Sequence, residues 1–267
     1  MDKYFQVKTL AHTPDPQQLI WLAMHQDYSS DPVYDGVKPD ETVSGNRAVK
    51  NLLKGGRSHF GPFEHPQITF NVAGFPHSVM QQARTHRVGT SFDVQSFRYT
   101  GGHIADLGRS IDLWANNHGI TPTLAYRTGQ MVTYVMAYSD MVESIFYVRP
   151  AGTYQDRNSG RCVFSEEHRI MALADIAYAA YRYWEMVNGN MPYEMARGFV
   201  PFDYRQHFVV SFNMRSLMHF LDLRSKKDAQ LEIRQMCDLL FDQFKGWAPE
   251  IAQWYEENRL HRGVLAP

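Results

Sequence analysis

What most constrains the fold of this chain is where its two hydrophobic rhythms fall. Period-two alternation is read at the front: residues 4–10 read as a short strand, and Ile68, Phe70 and Val72 alternate with Thr69 and Asn71. A helical period takes over after Ser165, where Ile170, Leu173, Ala177, Ala180, Trp184 and Val187 recur at three- and four-residue spacing on one face. Strands are therefore expected to concentrate early and helices late.

Between these blocks the reading is coarser. Residues 17–26 predict a short helix, 29–45 a turn-rich loop, and 46–53 a second short helix stopped by Gly55 and Gly56. Residues 101–146 mix β-branched, aromatic and methionine side chains without a clean period, so helix and strand both remain open there. Residues 147–162 read as loop. A short helix is expected over 192–197, and a longer one from Tyr204 or Arg205 to about Arg224. A last helix carries Ala229, Ile233, Met236, Leu240 and Phe244 on one stripe, and the tail 259–267 is expected to fray. With no repeats, low-complexity tracts or convincing linkers, one domain over residues 1–267 is expected.

With 267 residues, 44% of them hydrophobic, the chain is long enough to bury a full core. Its 27 basic and 28 acidic residues leave a formal charge of −1, so no global field recruits nucleic acid or a membrane surface. Any anion site must be local. No apolar run approaches the ~20 residues of a membrane span, and the N-terminus lacks a secretion pattern, so a cytoplasmic protein is expected. The two cysteines, Cys162 and Cys237, give neither metal spacing nor a disulfide framework.

The local anion site announces itself at 81–100, QQARTHRVGTSFDVQSFRYT. Arg84, His86, Arg87 and Arg98 gather there with Asp93 and the hydroxyls of Thr90, Ser91 and Ser96. Guanidinium groups donate paired, charge-assisted hydrogen bonds in a fixed plane, which suits phosphates and pyrimidine carbonyls. A solvated basic loop is the alternative. A second cluster, Asn213, Arg215, His219 and Arg224, falls on one side of the expected 205–224 helix, since 215 and 219 lie one turn apart and 213 and 224 three turns. Ordinary surface hydrogen bonding is the alternative there. His59, Glu64 and His65 lack any recognised metal-ligand spacing, so no metal is expected, and Glu64 and His65 read as hydrogen-bonded residues at a strand entrance.

Three blocks give the chain a resemblance to the flavin-dependent thymidylate synthases. HFGPFEH at 59–65 is similar to the family's H-x-x-PFEH. The 81–100 stretch looks like its RHR-x7-S signature followed by x-R-Y. RGFVPFDYRQHFVVSFNMRSLMHFLDLRSKKDAQLEIR at 197–234 resembles its R-x-x-LP, N-x-RS-L-x-x-F-x-x-LR and AQ-x-EI elements. The signature departs from the pattern: Thr85 stands inside it, eight residues separate Arg87 from Ser96, and Val94 replaces the usual glutamate, leaving Asp93 as the nearest acid. This RTHR-x8-S form is similar to cyanobacterial-type members. Residues 101–146 resemble an insertion.

The resemblance implies an α+β fold, a mostly antiparallel twisted sheet flanked by helices, in agreement with the distribution of rhythms. It implies reductive methylation of dUMP to dTMP, with 5,10-methylenetetrahydrofolate supplying the carbon and NADPH reducing through FAD. By the same resemblance Arg224 stabilises the electron-rich pyrimidine and no cysteine nucleophile is needed. Gln81, Arg84, Asp93, Ser96, Arg98, Arg197 and Arg224 are then expected to bind dUMP. His59, Arg84, His86, Arg87, Asp93, Asn213, Arg215 and His219 are expected to contact FAD. A homotetramer with sites shared between subunits is implied as well. Two other readings are a flavin-dependent hydroxymethylase of a pyrimidine nucleotide, whose product would be heavier by one oxygen, and a catalytically silent flavin- or nucleotide-binding protein.

Overall fold

Alternate burial builds a four-stranded sheet from β1 (Gln6–His12), β2 (Gln67–Pro76), β3 (Thr90–Val94) and, after a separate antiparallel hairpin of β4 (Gly152–Asp156) and β5 (Gly160–Phe164), β6 (Arg205–Asn213). The order across the sheet is β1-β2-β6-β3. β1 pairs antiparallel with β2, Gln6 opposite Ala73 and His12 opposite Ile68, with a register shift between Thr9 and Ala11. Ile68, Phe70 and Val72 are buried on β2, as their alternation predicts. The computed structural model describes residues 1–54, 57, 59–156 and 160–263. The expected helix stop at Gly55 and Gly56 lies outside the described residues, as do residues 264–267 of the tail.

The described residues divide into two compact units. The first comprises Met1–Phe75, Val79–Asp93 and His207–Pro267. It carries most of the sheet with α1 (Pro16–Gln26), α2 (Glu41–Ala48), most of α3 (His77–Ala83), α10 (Met214–Arg224), α11 (Leu231–Trp247) and α12 (Pro249–Asn258). Within the stretch read as loop over 29–45, the Asp40 side chain accepts from the Val43 N–H and starts α2 at Glu41. The expected helix from 205 to 224 is instead β6 followed by α10. Phe208, Val210 and Phe212 are buried and alternate with part-exposed Val209 and Ser211, a period of two that continues without a break into the helix. The tail does not fray over residues 259–263. Arg259 Nη2 donates to Asp222 Oδ2 at 2.6 Å, Tyr255 donates to Asp222 Oδ1 at 2.8 Å, and Asp222 is 1% exposed.

The second unit, Pro76–Ser78 and Val94–Gln206, is mainly helical, with the hairpin and the strand ends at Val94 and Arg205–Gln206. It holds α4 (Phe97–Thr100), α5 (Gly102–Asn117), α6 (Pro122–Arg127), α7 (Met131–Ile145), α8 (Glu166–Asn188) and α9 (Tyr193–Ala196). The stretch at 101–146 is thus resolved as helix. α8 opens on a capping box, Ser165 Oγ accepting from the His168 N–H at 3.1 Å, and ends at Gly189. α5 approaches α8 so closely that a Cβ on Gly108 would lie 2.4 Å from the Ala180 carbonyl oxygen. Leu173, Ala177 and Ala180 pack there with Ile104, Leu107 and Ile111. Burial of each large apolar side chain of this kind contributes about 1.5–3 kcal/mol. The hairpin replaces the loop expected over 147–162. Among the described residues, no helix is long and apolar enough to cross a membrane.

Candidate active site

In the first unit two chain segments are tied together at a turn and a helix start. The loop after α3 closes at Gly89, whose φ is +63°, and its carbonyl accepts from the Asn213 N–H at 3.0 Å. Asn213 caps α10, its Oδ1 accepting from the Ser216 N–H at 2.8 Å, and Ser216 Oγ donates to the Val88 carbonyl at 2.7 Å. A Cβ on Gly89 would lie 2.2 Å from Ser216 Oγ and 2.4 Å from Asn213 Nδ2, so only glycine fits this approach. The cation-rich loop is thereby fixed against the first turn of α10.

At the other end of α10, Arg224 reaches the same loop. Its Nε donates to His86 Nε2 at 3.0 Å, and its Nη2 donates to the Gln82 carbonyl at 3.2 Å and to Thr85 Oγ1 at 2.8 Å. All three acceptors are neutral. Among the described residues no carboxylate pairs with Arg224, so its positive charge is oriented and not cancelled. Accepting from Arg224 requires a lone pair on His86 Nε2, which places the imidazole proton on Nδ1. Burial first, then the charges of Arg224 and His219, lower the His86 pKa to about 4. The imidazole is therefore neutral at physiological pH. Burial also lowers the Arg224 pKa from the usual guanidinium value, with the neighbouring Cys237 opposing.

Arg224 borders an open cleft of about 340 Å³ lined also by His86, Arg87, Thr90, Ser216 and His219. The His86 ring meets His219 and Phe220 edge-on, with centroids 5.8 and 4.8 Å away. The cleft thus presents guanidinium, imidazole and hydroxyl groups beside the apolar side chains of Val88 and Leu223. That set suits a ligand with both an anionic and a planar part.

The remaining expected residues are placed as follows. In the first unit, Gln81 and Arg84 lie exposed on and just after α3, and Asp93 lies exposed on β3. His59 Nε2 stands 4.0 Å from Asp27 Oδ2. Arg215 pairs with Glu64, which agrees with reading Glu64 as a hydrogen-bonded residue at a strand entrance. In the second unit, Ser96 begins α4, Arg98 lies on it, and Arg197 follows α9, with α4 packed on α9. Arg98 Nε pairs with Glu194 Oε2 on α9 at 2.7 Å. Burial holds the Cys237 thiol well above its usual pKa, and Cys162 is exposed on β5.

Sequence reasoning missed Gln82, Thr85, Ser216 and Glu194 as partners. Thr85 carried a signal: it is the extra residue inside the signature, and its hydroxyl is one of the three acceptors that hold Arg224.

Comparison with known proteins supports a family assignment. The family model for thymidylate synthase complementing protein matches residues 8–250. The flavin-dependent thymidylate synthase of Haloarcula marismortui is 33% identical over 276 residues, covering 98% of this chain and 99% of the relative. That of Halobacterium salinarum is 31% identical over 273 residues, with the same coverage of 98% and 99%. Among solved structures, the UMP/dUMP methylase PolB from Streptomyces cacaoi superposes with a TM-score of 0.69 at 18% identity, covering 98% of this chain and 97% of that one. Thymidylate synthase X from Helicobacter pylori, solved with FAD and dUMP, gives 0.61 at 19% identity, covering 95% and 98%. The two solved structures share the fold; the family model and the two haloarchaeal relatives carry the assignment, and the chain belongs to the flavin-dependent thymidylate synthases as an enzyme of that family.

Proposed function

We propose that the chain converts dUMP to dTMP, taking a one-carbon unit from 5,10-methylenetetrahydrofolate and reducing equivalents from NADPH through FAD, in the cytoplasm. The observation that carries this reading is Arg224, a part-buried guanidinium aimed by three neutral acceptors at the border of a cleft. A charge fixed in this way stabilises electron density developing on a pyrimidine without first having to reorganise.

The donor set around the cleft fits a flavin dinucleotide. Arg87, Thr90 and His219 offer donors for a diphosphate, and the ring of His86 offers an edge for the flavin. FAD, when bound, supplies the redox chemistry. The chain's own residues bind and orient. His59, Arg84, His86, Arg87, Asp93, Asn213, Arg215 and His219 are assigned to FAD. Asn213 offers its amide nitrogen, because its Oδ1 already caps α10. His86 offers Nδ1–H, because Nε2 is taken by Arg224. Gln81, Arg84, Asp93, Ser96, Arg98, Arg197 and Arg224 are assigned to dUMP, with Arg98 exchanging Glu194 for the phosphate. The sites belong to a homotetramer and are shared between its subunits, and residues 1–267 act as one synthase domain. The thiol of Cys237, kept protonated by burial, takes no part.

The test is product mass. Purified protein is incubated with FAD, methylenetetrahydrofolate and NADPH, with dUMP in one reaction and UMP in another, since a protein of similar fold is a UMP/dUMP methylase. dTMP is the expected product. A product one oxygen heavier would replace the synthase reading with hydroxymethylation. Protein that binds flavin and dUMP without forming product would sink it.

A further inference from the structure

A second and larger cleft opens in the first unit, lined by none of the residues assigned above. It measures about 510 Å³ and lies along α1, α2 and the π-helical turn Val49–Leu53 that continues α2. That volume falls within the roughly 300–1,000 Å³ of small-molecule sites. π-Helical turns are uncommon and concentrate at functional sites. This one carries Lys50 and Asn51 to the cleft, where Arg47 and Arg57 join them.

The three cations Arg47, Lys50 and Arg57 are exposed, and among the described residues none pairs with a carboxylate. In a chain of formal charge −1 this is a local concentration of uncancelled charge. Beside it are rings. Trp21 stacks on His25 with centroids 4.7 Å apart and planes 15° apart, and the Arg47 guanidinium lies 6.0 Å from the Trp21 ring. Tyr28 is 80% exposed, so its ring is open to stack on a ligand. Fixed and flexible cations next to an open aromatic face select a phosphate attached to a planar base. The adjacent Asp27 stands 4.0 Å from His59, a residue assigned to the flavin, so a ligand anchored here begins close to the redox cofactor.

We propose that this cleft binds the phosphorylated adenosine end of the nicotinamide reductant, with Arg47, Lys50 and Arg57 on its 2′-phosphate and Tyr28 against its base, so that the chain prefers NADPH to NADH. The inference rests on the synthase reading for the identity of the reductant. Among the reactants of that reading, dUMP and FAD already have assigned cations; the reductant and methylenetetrahydrofolate do not, and of these two only the reductant carries phosphate.

The test is calorimetric titration of 2′,5′-ADP into flavin-loaded protein, compared with the double variant Arg47→Glu, Lys50→Glu. Both positions are exposed, and circular dichroism checks the fold. Wild type is expected to bind 2′,5′-ADP at least tenfold more tightly than 5′-AMP, and the double variant to lose that margin while keeping one flavin per chain. In steady state, the KM for NADPH rises at least tenfold in the variant and the KM for NADH changes less than twofold. Equal binding of 2′,5′-ADP to both proteins overturns the proposal. Loss of flavin from the variant overturns it in favour of a cofactor diphosphate site, and weakened folate polyglutamate binding with unchanged 2′,5′-ADP binding overturns it in favour of a carboxylate site. If wild type forms no dTMP with any reductant, the synthase reading fails, while the titration still decides whether the cleft takes a phosphate.

Discussion

Two arginines assigned to the same nucleotide are held in opposite ways. Arg224 is part-buried and bonded to an imidazole, a carbonyl and a hydroxyl, none of them charged. Arg98, with 61% of its side chain exposed, pairs with the carboxylate of Glu194. Burial beside neutral acceptors costs desolvation but leaves the charge whole and its direction fixed. Exposure beside a carboxylate costs little, and the pair itself is worth about 0–1 kcal/mol in water. On the proposed reading, the difference separates a group set for chemistry from one that can trade a weak partner for a phosphate.

The comparison breaks first at Arg224. Arg224→Ala is expected to lower kcat by about 10²–10³-fold, as loss of a preorganised transition-state donor does. Flavin per chain, read from absorbance, should stay at the wild-type level; an unchanged kcat would remove Arg224 from the chemistry. Acid tests the same arrangement through its acceptor. The folded pKa of His86, about 4, lies below its ordinary 6.5, so as pH falls the unfolded chain takes up this proton first. The stability contributed by neutral His86 is therefore full above about pH 6.5 and lost as pH falls toward about 4. Melting temperature should fall through that window in wild type and fall less in His86→Asn; parallel curves would show that His86 is not the group involved.

Thr85→Val removes one neutral acceptor and keeps the shape. At this exposed position the loss sits at the low end for hydrogen bonds to charged groups, so kcat/KM for dUMP should drop about tenfold. Thr85→Ser should restore it, which a purely structural role for the methyl group would not allow. The smallest effect is expected at the exposed pair. Glu194→Gln frees Arg98 and should tighten dUMP binding about two- to threefold, a change on the scale of one surface ion pair. Weaker binding, measured by titration, would show that Glu194 holds Arg98 in place instead of competing with the ligand.

The sequence patterns were legible where one face of an element is buried and the other is not. β2 and α8 are such elements, and their rhythms predicted them. β6 was misread because its alternation of Phe208, Val210 and Phe212 runs directly into α10, so that no turn residue separates strand from helix. α7 was ambiguous for a different reason. Met136, Tyr138 and Met141 are exposed apolar residues on a helix whose core side holds Met131, Tyr134 and Val135, and Tyr138 breaks the helical dihedrals, so the period blurs. The hairpin read as loop because β5 buries no residue and shows no alternation. For the candidate site, the charged residues were legible through motif chemistry. Of the acceptors that orient Arg224, His86 was legible as a motif residue and Thr85 as the extra residue in the signature, but the Gln82 carbonyl was not, because a backbone group carries no pattern until the chain is folded.

The buried pair of Asp222 and Arg259 ties two moments in the life of the chain together. Asp222 lies on α10, two residues before Arg224, and its carboxylate waits for a guanidinium 37 positions further along. On the ribosome α10 emerges well before that partner does, so this pair closes only once the chain has been made through Arg259. A nascent chain stalled short of Arg259 would hold every residue assigned to dUMP and FAD and still lack the guanidinium that Asp222 meets in the folded protein.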